Sequence, residues 1–185
     1  MSMPISIYRC TGCSSKWPTH QFWGMRLYLL ENGQTVSVPR YLGGCENCRD
    51  LKEIERIPDE AEMYEQFTAA YDKFRERDIS FKRTFFGSLK PLDKNKVESY
   101  ELFRESLEEA RNAVEWRKNR KSRPRCLTCG SHDVSSLDVS CIHPGCGGTF
   151  MTEETDIRIA TRTKRKFYDT EGNFLREEEV GAYEH

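Results

Sequence analysis

The chain has 185 residues, 29 Lys+Arg against 30 Asp+Glu, and a formal net charge of −1. Leu, Ile, Val and Phe make up only a fifth of it, the border below which burial alone stops folding a chain, while the balanced charge argues against simple disorder. No apolar run approaches the roughly 18–20 residues that cross a bilayer, and neither end carries a signal peptide or lipidation motif, so the expectation is a cytoplasmic protein with small, stapled cores.

Residues 1–57 read as strands. Ile5 and Ile7 alternate ahead of Cys10, and Met25–Leu30 is an apolar run. Asn32-Gly33 then supplies the strongest short hairpin signal, and Thr35-Val36-Ser37-Val38 alternates on the return before Pro39 ends it. Trp17, Phe22 and Trp23 are candidates to cover a core too small to close by itself, with a partner-binding surface as the alternative.

Residues 58–121 read as a helical hairpin. Asp59, with Glu62 three residues on, makes a capping-box start, and Met63, Phe67, Ala70, Tyr71 and Phe74 share one face. A second helix begins near Asp93 and runs toward Lys121, about 40 Å at helical rise. Its stripe is Val97, Tyr100, Phe103, Leu107, Ala110 and Val114, with Leu102, Ala113 and Trp116 off it. Dimerisation through the helices is the alternative to an intramolecular pair. Phe81 to Lys90 falls between the helices. Its interleaved aromatics and basic residues suit either closure of the hairpin or stacking on bases.

Residues 122–185 return to strand patterning. Ile157 to Phe167 alternates as one strand, Asp169 to Asn173 is a turn, and Phe174-Leu175 begin the return. If Lys164 opposes Glu177, Arg162 falls opposite Glu179 and the basic face is neutralised across the hairpin.

The eight cysteines form four pairs. Cys10/Cys13, Cys45/Cys48 and Cys126/Cys129 have the C-x2-C spacing, and Cys141/Cys146 is C-x4-C. A two-residue gap lets both sulfurs of a tight turn point at one ion, and two such turns complete a tetrahedron. Without an export signal, and with each pair so close in sequence, disulfides are poor staples here. His20, His132 and His143 lie between cysteines. His143, two residues after Cys141, is the best placed to substitute as a ligand, but four cysteines per site make bystanders of all three.

Arg9-Cys10-Thr11-Gly12-Cys13 with Gly44-Cys45-Glu46-Asn47-Cys48, and Cys126-Leu127-Thr128-Cys129-Gly130 with Cys141 through Cys146-Gly147-Gly148, resemble the zinc-ribbon class. The resemblance implies an α+β fold of two small β-rich zinc ribbons, 1–57 and 122–185, joined by a helical hairpin. It implies one Zn²⁺ per ribbon, two per chain, each held by that ribbon's four cysteines.

Enzyme signatures are missing: there is no phosphate-binding P-loop, no G-x-S-x-G elbow, no H-E-x-x-H, and no His-x-Glu ahead of a cysteine pair. The expectation is a non-enzymatic adaptor or scaffold with a protein partner. Residues 111–125 hold seven basic residues against one acid. Arg117, Lys118, Arg120, Lys121, Arg123 and Arg125, with Arg158, Arg162, Lys164 and Lys166 on the later strand, are therefore candidates for nucleic-acid contact. Zinc ribbons in general point the same way. The competing reading is a solvated pattern set by the helix dipole and by cross-strand glutamates.

Overall fold

A computed structural model describes residues 3–87, 94–136, 142–159 and 164–179. The architecture is mixed α+β, with small sheets built from the segments that precede and follow a pair of helices in the sequence. The chain divides into two compact units. One comprises Met1–Glu31, Ser37–Ile57 and Lys121–His185, and the other Asn32–Val36 and Pro58–Arg120.

The first unit is held by pairings between distant segments. β1 (Met3–Cys10) lies between β2 (Lys16–Pro18) and β8 (Phe150–Ile159), antiparallel to both, with Tyr8 opposite Trp17 and Cys10 opposite Phe150. β3 (Met25–Leu29) runs parallel to β9 (Lys164–Tyr168), which pairs antiparallel with β10 (Phe174–Glu179). β5 (Arg40–Cys45) lies between β6 (Asp50–Glu55) and β7 (Val134–Ser136), with Cys45 opposite both Asp50 and Val134. Strands from before and after the helices thus pair with one another in each sheet.

Local signals act as their chemistry dictates. The Asn32 side chain accepts from the Gln34 N–H at 2.9 Å, Gly33 takes φ +80°, and β4 (Thr35–Ser37) follows. The Asp169 carboxylate accepts from the Glu171 and Asn173 N–H groups, with Gly172 at φ +82°. The single strand expected from Ile157 to Phe167 is instead two. Ile157 ends up in β8 and Phe167 in β9, strands of different sheets, with 160–163 outside the described residues.

Charge is buried in this unit. Glu53 accepts from Arg26 at 2.7 and 3.0 Å through one oxygen and from Arg40 at 2.9 Å through the other, tying β3, β5 and β6 together. Tyr28, fully buried, donates to Glu55, and Tyr168 donates to the Leu127 carbonyl at 3.3 Å. Burial pushes the Tyr168 hydroxyl up to about 12, so it is a permanent donor near neutral pH.

In the second unit, α1 spans Glu60–Gly87 and α2 spans Lys94–Asn119. The Asp59 carboxylate accepts from the Glu62 N–H at 2.8 Å, as the capping box requires. α1 continues through Phe81 to Gly87, a stretch expected as connection; no proline or glycine interrupts it before Gly87. Lys118 lies over the Tyr64 ring, Arg77 over Phe103, and Phe81 stacks on Tyr100 at 4.5 Å. The start of α1 therefore meets the end of α2: the helices are antiparallel. The expected α2 stripe is half-buried throughout, whereas Leu102 is exposed. Trp116, off the stripe, is fully buried.

Candidate metal centres

One pair of backbone hydrogen bonds recurs at three turns of the first unit. Cys10 N–H donates to the Ser15 carbonyl at 2.9 Å and Ser14 N–H to the Cys10 carbonyl at 3.1 Å. Cys126 with Ser131 and Gly130 repeats both bonds, at 2.8 Å each. His143 with Gly148 and Gly147 repeats them at 2.7 and 2.8 Å. A fourth turn, at Cys45, sits inside the β5–β6 hairpin with Cys45 opposite Asp50, and there the Arg49 N–H donates to the Glu46 carbonyl at 3.2 Å. The residue after each turn is left-handed: Ser14 at φ 60°, Arg49 at 52°, Gly130 at 76° and Gly147 at 75°. Such a turn aims its first and fourth side chains the same way. Those side chains are Cys10/Cys13, Cys45/Cys48, Cys126/Cys129 and His143/Cys146.

The sheets then bring the turns together in pairs. Cys10 ends β1 and Phe150 begins β8, so their pairing sets the Cys10–Cys13 turn beside His143–Cys146. Cys45 opposite Val134, with a bridge from Ile54 to Cys126, sets Cys45–Cys48 beside Cys126–Cys129. Two groups result, Cys10/Cys13/His143/Cys146 and Cys45/Cys48/Cys126/Cys129, each with all donor atoms within 4.8 Å of one another. This corrects the expectation that each end of the chain closes its own four-cysteine site. The physical reason is long-range strand pairing, which no cysteine spacing encodes.

The donor geometry fits a tetrahedral ion. Metal–sulfur bonds of about 2.3 Å place sulfurs about 3.8 Å apart at the corners, and a sulfur–imidazole edge is slightly shorter. In the four-cysteine group Cys45–Cys129 is 3.6 Å and Cys48–Cys126 is 4.0 Å. In the histidine group Cys10–Cys146 is 3.4 Å, and His143 Nδ1 lies 3.4 Å from Cys13 and 3.2 Å from Cys146. The two clusters can each hold a metal ion and are compatible with zinc-ribbon-like motifs.

Electrostatics single out one thiol in each group. Hydrogen bonds from Ser15 hold the Cys13 thiol down to about 6. Burial pushes Cys129 up, but bonds from the Asn47 side chain and the Ser131 backbone outweigh it and bring it to about 6. Burial, then neighbouring thiols, push Cys45 up to about 11, and Cys48 rises for the same reasons. A divalent cation would offset the upward shifts, since it stabilises every thiolate in its shell.

Each group has its own apolar cover. Cys10 packs with Trp17 and Leu51, flanked by Tyr8, Phe22, Leu42 and Phe150. Cys45 and Cys126 pack with Ile54, flanked by Tyr41 and Val134. Trp17 and Phe22 thus cover the histidine group, while Trp23 sits against His20 with ring centroids 6.3 Å apart. His132 bonds the Pro124 carbonyl and joins neither group. Cys141 lies outside the described residues.

His143 was legible in principle. His143-Pro144-Gly145-Cys146 has the two-residue gap of the other three turns, whereas Cys141 to Cys146 breaks it. The repeated spacing was the signal, and the more familiar ligand type obscured it.

The basic candidates among the described residues are mostly engaged. Arg117 donates to the Pro58 carbonyl at 2.7 Å, Lys118 lies over Tyr64, and buried Arg120 lies over Trp116. Buried Arg125 donates to Asn173 at 2.9 Å. Lys164 and Lys166 both reach Glu177, at 2.7 and 3.6 Å. The register is Lys166 opposite Glu177 and Lys164 opposite Glu179, so Lys164 meets Glu177 diagonally. Lys121, Arg123 and Arg158 are not among the buried residues, and Arg162 lies outside the described ones. Compared with protein-family models, curated proteins and solved structures, the chain matches none.

Proposed function

We propose that this chain is a non-enzymatic, cytoplasmic adaptor whose two structural Zn²⁺ ions hold a recognition module together. The observation that carries the reading is the convergence of four turns, each with a two-residue gap and a left-handed residue after it, on two closed sets of four donors. A thiolate- and imidazole-rich tetrahedral set suits zinc, and four protein ligands leave no position for a reacting water. The sheets around the sites have few apolar residues, so metal binding supplies folding free energy directly.

A protein partner is favoured over nucleic acid by the surface. Tyr64, Tyr71, Ile79 and Leu102 expose apolar area on the helices. Most of the basic candidates are spent on carbonyls, rings or glutamates.

Native mass spectrometry of protein purified without added metal tests the zinc reading, with two zinc ions per chain expected. Fewer than two, or displacement of a metal-bound water by cyanide or azide, overturns it. Mixing the zinc-loaded protein with DNA and RNA at about 50 and 200 mM salt tests the choice of partner. Salt-steep binding, lost in Lys121→Glu/Arg123→Glu, assigns the nucleic-acid role instead.

A further inference from the structure

His143 needs a reason to present Nδ1 to the thiols, because an imidazole can turn either nitrogen to a metal. A second partner on the other nitrogen commonly settles this, fixing ring orientation and tautomer together. Here Nδ1 faces Cys13 and Cys146, and the opposite nitrogen, Nε2, faces Asp50 Oδ1 at 3.9 Å.

Asp50 is itself held in place. Its Oδ1 accepts from Trp17 Nε1 at 2.8 Å and from the Leu51 N–H at 2.9 Å, and its Oδ2 takes Lys52 at 2.6 Å. The imidazole, 6 % exposed, is walled edge-on by Trp17 and Phe150, with centroids at 5.2 and 5.7 Å. The turn carrying it is seated on the chain around the other site. A Cβ on Gly44 would meet the Pro144 ring at 3.0 Å, and one on Gly145 would meet the Arg49 carbonyl at 2.9 Å. The ring thus has little freedom, and the carboxylate stands on the side away from the thiols.

We propose that Asp50 is the positioning residue of the histidine site, holding His143 so that Nδ1, and not Nε2, is the metal ligand. This rests on the metal-site reading above. Asp50 approaches the metal only through His143, and it is not a ligand of either group.

Cobalt(II) titration of the full chain tests it, because a cobalt centre with three sulfurs and one imidazole and a centre with four sulfurs have distinct visible spectra. Both sites are then read in one sample. Asp50→Asn keeps the side-chain shape and an oxygen for Trp17 and Leu51, and removes the charge facing Nε2 together with the exposed-side ion pair to Lys52, which touches neither group. We expect it to weaken the histidine centre at least fivefold, within reach of the roughly 10–100-fold effect of lost outer partners, and to leave the four-cysteine centre within twofold. A smaller loss, or equal loss at both centres, overturns the proposal.

The His143→Cys background separates positioning from packing. There Asp50→Asn is expected to change affinity less than twofold, since no imidazole remains to orient. A loss as large as in the parent means that Asp50 acts by packing on Trp17, and the proposal falls. Failure of the parent chain to take up two cobalt ions with sulfur charge-transfer bands would sink the metal-site reading itself, a result distinct from an ineffective Asp50→Asn.

Discussion

The two metal centres use the same turn but stand in different surroundings. The four-cysteine site has Cys45 and Cys126 fully buried, and its first turn is continuous with β5 and β6. The Leu127 N–H bonds the Glu53 carbonyl and the Glu55 N–H bonds the Arg125 carbonyl, so the second turn is stitched onto β6. The histidine site likewise buries two donors, Cys10 and His143, but exposes both Cys13 and Cys146 where the four-cysteine site exposes only Cys129, and its cover is mostly aromatic side chains. It also closes the longer loop, from residues 10–13 to 143–146, around the loop from 45–48 to 126–129. Loop entropy grows only logarithmically with length, so that difference is small. What separates the sites is how much folded structure depends on each. The four-cysteine site organises β5, β6 and the chain around Cys126. The histidine site joins β1 to β8 over that base.

Loss of metal gives the largest effect. Apparent binding free energies of structural zinc in finger-like peptides are about 10–16 kcal/mol, as large as a small domain's whole stability. Cys126→Ser is expected to lose one metal and unfold all three sheets. His143→Ala is expected to lose one metal while amides of β5 and β6 stay protected from hydrogen exchange. Cys141→Ser is expected to keep both ions. Equal loss of protection in Cys126→Ser and His143→Ala would erase the distinction between the sites. Loss of a metal in Cys141→Ser would restore that cysteine as a ligand.

Next comes the buried charge beside the four-cysteine site. Glu53 answers both Arg26, 2 % exposed on its side chain, and Arg40, 28 % exposed. Glu53→Ala leaves a buried guanidinium without its anion, at about 3–5 kcal/mol. Denaturant unfolding of the metal-loaded protein measures it, and a loss below about 1 kcal/mol would mean the triad is held open to water.

Smaller effects come from the turns. Gly148 sits where a Cβ would meet the Gly12 nitrogen at 2.4 Å and Cys10 Sγ at 2.6 Å, so Gly148→Ala must push the two turns of the histidine site apart. Overpacking of this kind costs about 1–3 kcal/mol. At Gly130 a Cβ would meet nothing within 4 Å, but φ is +76°. Gly130→Ala therefore costs only the left-handed backbone penalty, about 1–2 kcal/mol. Thermal unfolding of the pair should place Gly148→Ala below Gly130→Ala, and only Gly148→Ala should shift the cobalt spectrum of the histidine centre.

What the sequence disclosed was what short range determines. Asp59 caps, Asn32-Gly33 turns and Asp169 organises its loop, each through bonds to residues no more than four positions away. The C-x2-C pairs announced three of the turns. The fourth, His143 to Cys146, followed the same spacing but used an imidazole. What stayed hidden was partnership across the chain: β1 with β8, β3 with β9, β5 with β7. Arg26 lay unremarked inside an apolar run because its partner, Glu53, is 27 residues away. The β9–β10 register escaped because a bulge between Phe174 and Arg176 adds a residue that alternation does not reveal.

That hairpin supplies the smallest effect and a contrast with both metal sites, since its charges lie in water. The hydrogen bond from Lys164 holds the Glu177 carboxyl below its ordinary range, and the same pair raises Lys164. Glu177 therefore adds stability above its unfolded value, about 4.3, and loses it as pH falls through its lower folded value. Lys164 adds stability below its unfolded value, about 10.4, and loses it as pH rises through its higher folded value. Between those limits the hairpin should be indifferent to pH. Hydrogen exchange of β9 and β10 amides, corrected for intrinsic rates, should be level from about pH 5 to 9 and faster near pH 3. Glu177→Gln should remove most of the acid limb and leave both metal centres unchanged. An acid limb that persists in this variant, together with release of metal at the same pH, would place its origin in the thiolate sites, whose ligands must shed protons to bind.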